Sequence, residues 1–81
     1  MNPLPSTIAQ DEERLGKLAM QFRGTRREAQ RRAIAQDYSE TVERLIHSGR
    51  WHTMPPPEDQ LPDDWMPPAF FEYWSRQQDT P

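Results

Sequence analysis

Six prolines fall within residues 55–68, and none lies between residues 6 and 54. Proline fixes φ near −65° and has no N–H to donate, so residues 50–67 can form neither a regular helix nor a central strand. Polyproline II segments and turns are what remain. The same stretch nevertheless carries Trp51, Met54, Leu61, Trp65 and Met66. A flexible linker has no use for two tryptophans, so the stretch reads as an extended arm that packs on something.

The proline-free part upstream reads as two helices. Over residues 7–23, at about 100° per residue, Ile8, Leu15, Leu18, Ala19 and Phe22 share one narrow face, with Asp11 near its N-terminal end. Thr7 with Gln10 has the spacing of a capping box, and Asp11, Glu12 and Glu13 sit where the helix dipole favours negative charge. Gly24 supplies the stop. Residues 25–48 form the second helix, with Thr25 and Glu28 as another capping box and no Gly or Pro until Gly49. Ile34, Tyr38, Val42, Leu45 and Ile46 form its apolar stripe, while Asp37, Glu40, Glu43 and His47 lie opposite. After the arm, Pro68 suits the first position of a short helix over residues 68–77. The expected fold is all-α: two antiparallel helices as a helical hairpin, a Pro-rich extended arm, and a short aromatic C-terminal helix, in a single small domain over residues 1–81.

Core material is scarce. Only 33% of the 81 residues are hydrophobic, and there is no cysteine for a disulfide or a thiolate metal site. A chain this short and polar gains by burying surface against a partner, whether another protein or a second copy of itself. Dimerisation through the Ile34–Ile46 stripe would supply missing core. No apolar run approaches the roughly 20 residues of a membrane span. The opening MNPLPSTIAQDEER lacks both the basic start and the apolar stretch of a signal peptide. The expected location is the cytoplasm, with no membrane partner.

Charge is divided along the chain. Arg23, Arg26, Arg27, Arg31 and Arg32 face Glu28 alone among the charged residues of 23–36, whereas residues 58–81 set six acids against Arg76. Arg27 and Arg31 project close to the direction of Ile34 and Tyr38, so the apolar stripe becomes an arginine stripe at the positive end of the helix dipole. Cations placed there call for an anion. Nucleic-acid phosphate, an acidic protein surface and the chain's own acidic tail are the three candidates. The run RGTRREAQRR matches no base-reading motif, and a net charge of −3 opposes long-range attraction to DNA. A helix–turn–helix can be drawn over residues 7–48, but its second helix is too long and its outer face too acidic for a typical recognition helix.

The other concentration of chemistry is aromatic. Six of the eight aromatic residues lie within residues 51–74. The run from Trp65 to Trp74 can fold back as a lid on the two helices, or it can present Trp65, Phe70, Phe71 and Trp74 to a groove on another protein. Nothing points to catalysis or to a cofactor: there is no cysteine nucleophile, no Gly-rich phosphate loop and no nucleophile elbow. A zinc site could be sketched from Glu43, His47 and His52, but no fourth ligand appears, and a helix C-terminus is a favourable place for a surface histidine. The leading expectation is a small protein–protein interaction module, an adaptor, inhibitor or accessory subunit without catalytic activity. The alternatives are a nucleic-acid-binding regulator using the five arginines and an assembly component stable only as an oligomer.

Overall fold

In the computed structural model, which describes residues 8–78, three α-helices form in chain order: α1 (Ile8–Arg23), α2 (Glu28–Ser48) and α3 (Pro68–Gln78). The arm between α2 and α3 contains two single-turn 3-10 helices, Pro57–Asp59 and Asp63–Trp65, and among the described residues there is no strand. The helical hairpin with a short C-terminal helix is therefore the observed architecture. The Thr7 capping box and the proline-bearing lead-in fall outside the described residues.

Helices α1 and α2 run antiparallel, since early residues of one meet late residues of the other. Arg14 grips Asp37 with two bonds, Nη2 to Oδ2 at 2.5 Å and Nε to Oδ1 at 3.2 Å. One turn earlier on α1, Asp11 accepts from Arg44 at 3.3 Å, and Arg44 also donates to the Thr41 hydroxyl at 3.2 Å. Asp11 is buried on the core face of α1, so the Arg44 guanidinium supplies the counter-charge that a buried carboxylate requires.

The inward face of α1 is the one its spacing predicts: Leu15, Leu18, Ala19 and Phe22 are buried with Asp11. On α2 the buried residues are Tyr38, Thr41, Val42 and Leu45, while Ile34 and Ile46 are half-buried. The arm and α3 form a second layer over this face and contribute Trp51, Leu61, Met66, Phe70 and Trp74 to the same core. Tyr38, Val42 and Leu45 are thus covered by the chain itself. The stripe considered for dimerisation has no free centre within the monomer.

Helix ends depart from the expected capping boxes. Helix α2 starts at Glu28, its N-cap residue is Arg27, and no side chain caps it. The Thr25 hydroxyl instead donates to the Gln21 carbonyl at 2.6 Å, closing the last turn of α1, where Gly24 N–H also reaches Met20 O. Because α2 begins only at Glu28, Thr25 stands two residues before the N-cap, and its hydroxyl serves an orphan carbonyl at the end of α1. Gly24 ends α1 without the left-handed conformation; among the described glycines only Gly49 takes a positive φ, 71°, with its N–H on the Ile46 carbonyl.

Two bonds tie the arm to the hairpin, and a third ties α3 to the arm. Tyr38 donates its hydroxyl to the Asp59 carbonyl at 2.6 Å, Arg23 donates to the Glu58 carbonyl at 2.7 Å, and Tyr73 on α3 donates to the Trp51 carbonyl at 2.5 Å. Gly16 lets the arm approach closely: a Cβ there would stand 3.0 Å from a carboxylate oxygen of Asp59. Trp51 sits at the centre of the aromatic cluster, stacked on Tyr73 at 5.5 Å and edge-on to Trp74 at 4.9 Å. The indole N–H groups of Trp51 and Trp74 are buried without an acceptor among the described residues. Edge-to-face packing, which turns positive ring edges toward π faces, partly offsets that loss.

The Tyr38 bond makes stability sensitive to alkali. Burial and, secondarily, the nearby Asp59 charge raise the Tyr38 pKa above its ordinary value near 10. The folded state therefore holds a proton that the unfolded state releases. Stability from this group is complete below about pH 10 and falls at higher pH, by up to about 1.4 kcal/mol per unit. Replacing Tyr38 with phenylalanine is expected to cost about 0.5–1.5 kcal/mol at neutral pH and to flatten the alkaline limb of a urea-midpoint profile. An alkaline limb unchanged in Tyr38→Phe would show that another group carries it.

Candidate contact surfaces

Two regions carry the residues that the sequence marks for contact: α3 with the end of the arm, and the connection between α1 and α2. On α3, Phe70 and Trp74 are i, i+4 neighbours and both enter the core, at 1% and 7% exposure. Phe71, one position on, turns outward and is 45% exposed. Its ring meets Phe70 edge-on at 5.7 Å, so the side chain is supported from below and open above. Around it, Pro68, Glu72 and Ser75 are exposed. Of the four aromatics proposed as anchors, two belong to the lid that closes the core, and only Phe71 and part of Trp65 can meet a partner.

Trp65 packs against the hairpin. Its ring packs edge-on to Phe22 at 5.2 Å, beside the hairpin connection, and the Arg31 guanidinium lies 5.4 Å from the centroid of the same Phe22 ring. The structure thus joins a residue of the aromatic run to the arginine cluster, a juxtaposition the linear sequence does not reveal.

The five arginines divide into two groups. Arg23 is held by the Glu58 carbonyl, Arg31 donates to the Thr25 carbonyl at 2.8 Å, and Arg32 pairs with Glu28 at 3.2 Å. Arg26 and Arg27 are exposed and make no ion pair among the described residues. The arm does reach the basic connection, yet it offers a backbone carbonyl there and not a carboxylate. Within residues 8–78 no acid of the arm or α3 forms an ion pair with any of the five. Among the described residues the acidic segment therefore does not pair with Arg26 or Arg27.

The remaining surface is chemically plain. An open groove of about 430 Å³ runs along α1 and is lined by residues that include Glu13, Arg14, Lys17, Gln21 and Asp37, already crossed by the Arg14–Asp37 pair. A smaller pocket of about 180 Å³ lies between Glu12 and the arm residues Thr53–Pro56 and Asp59. Among the described residues no group of three or more His, Cys, Asp or Glu is placed to hold a metal ion, so Glu43, His47 and His52 do not converge. No described helix is long and apolar enough to cross a membrane. Comparison of the chain with protein-family models, with curated proteins and with solved structures finds no match.

Proposed function

We propose that this protein is a non-catalytic contact module that binds another protein through the outer face of α3, with Phe71 as the anchor. The observation that carries the reading is the division between neighbours. Phe70 and Trp74 complete the core, while Phe71 leaves 45% of its surface in water. A phenylalanine in that position gives up part of the roughly 1.5–3 kcal/mol that full burial would yield, and a polar residue would serve the fold nearly as well. Aromatic side chains rimmed by polar residues are the usual centre of a binding hot spot.

The test is affinity capture with the whole protein and two variants. Phe71→Glu is expected to lose a partner that the unchanged protein retains, while its helical circular dichroism signal is kept and its stability falls by only about 1 kcal/mol. Arg26→Ala/Arg27→Ala is expected to keep that partner. Retention of every captured protein by Phe71→Glu would remove α3 as the contact surface.

A further inference from the structure

We infer that the connection between α1 and α2 is a second, separate contact site, one that binds single-stranded nucleic acid. Two features lie at this connection, and a third adjoins it through Phe22. The first is the pair Arg26 and Arg27, exposed and without an ion pair among the described residues. The second is the start of α2, where Arg27 is the N-cap residue and no side chain caps the first-turn N–H groups. Cations at the positive end of a helix raise each other's energy, and phosphate oxygens relieve both the guanidinium groups and the free donors. The third is the partly exposed Trp65, braced by Phe22, with Arg31 over the other ring.

The combination decides between classes of anion. An acidic peptide would satisfy the arginines and leave the indole without a counterpart. A nucleic-acid strand supplies phosphate for Arg26 and Arg27 and a flat base for Trp65 in the same repeating unit. A duplex keeps its bases stacked on one another, so a single strand makes the better match to a partly exposed indole. Asp63 and Asp64 flank Trp65, are exposed and form no ion pair among the described residues. They confine the positive field to the arginine side and limit the site to a short stretch of strand. Net charge of −3 makes this a local attraction that salt screens readily.

This site does not depend on the α3 surface, and its test is independent. The probe is a fluorescently labelled oligodeoxythymidylate of about twelve nucleotides, the size range of a small single-strand site, titrated with the whole protein at low salt. Binding is expected to weaken with salt with a log–log slope of about −1.4, the release expected for two phosphates on a single strand. Intrinsic tryptophan fluorescence should be quenched on binding, because Trp65 is the one tryptophan with surface to offer while Trp51 and Trp74 are buried. Arg26→Ala/Arg27→Ala should weaken binding at least tenfold with the fold intact, since both side chains are exposed. Asp63→Asn/Asp64→Asn should tighten it severalfold. Absence of binding at low salt, or binding that the arginine variant retains, would overturn the proposal. Equal binding of polyglutamate would assign the site to an acidic protein, and a duplex bound as tightly without quenching would remove Trp65 from it.

Discussion

Replacing Trp51 with alanine should cost about 3–5 kcal/mol, the usual loss for deleting a buried aromatic. Trp51 has no solvent exposure and touches Phe70, Tyr73 and Trp74, so it is the residue on which the second layer closes. Domains of this length are stable by roughly 0.05–0.15 kcal/mol per residue, which puts the expected loss on the scale of the whole. The variant should be largely unfolded in mild denaturant, with α3 and the arm detached, and the exposed α1–α2 pair should be marginal without its cover. Urea denaturation followed by circular dichroism measures the effect. A loss below about 1 kcal/mol would mean that the arm and α3 are not part of the cooperative unit.

Trp51 also shows where sequence reasoning stops. The faces of α1 and α2 were readable because a helix repeats every 3.6 residues and the apolar side chains obey that period. Leu15, Leu18, Ala19 and Phe22 lie where the spacing puts them, and even the odd Asp11 is on the core side, explained by Arg44 across the pair. The proline-rich arm has no period. That it packs follows from its tryptophans; which side chains turn inward follows from contacts with residues more than twenty positions away, such as Tyr38 on Asp59. Trp51 therefore carried no signal separating it from Trp65, although one is central to the core and the other partly open. Local caps were misread for a related reason. Thr25 fits the spacing of an N-cap, but spacing does not show that α2 begins only at Glu28, with Arg27 in the cap position.

The charged segments give a different lesson. Opposite net charges on residues 23–36 and 58–81 make mutual neutralisation one of the expectations from sequence. The two segments meet through Arg23 and the Glu58 carbonyl and through Phe22 and Trp65, and among the described residues no carboxylate–guanidinium pair joins one segment to the other. Net charge over a segment is a sum, whereas pairing depends on where each side chain points. The 3-10 turn presents its carbonyls to the hairpin, leaves Glu58 in solvent and turns the Asp59 carboxylate toward Gly16, so neither acid meets an arginine of the cluster.

The same dependence on direction separates two adjacent residues on α3, and the strongest test of the functional reading follows from it. Successive positions on a helix differ by about 100°, so a narrow interface with the core accepts Phe70 and Trp74, four apart, and turns Phe71 away. Phe70→Ala should lose about 3–5 kcal/mol of stability and any partner with it, because the surface of α3 goes when the helix detaches. Phe71→Ala should lose far less, of the order of 1 kcal/mol for the covered half of its ring, yet abolish the same partner. Denaturation curves and partner retention measured on both variants give the comparison directly. If Phe71→Ala proved as destabilising as Phe70→Ala, the exposed ring would be part of the core's support, and α3 would have no residue left with which to reach a partner.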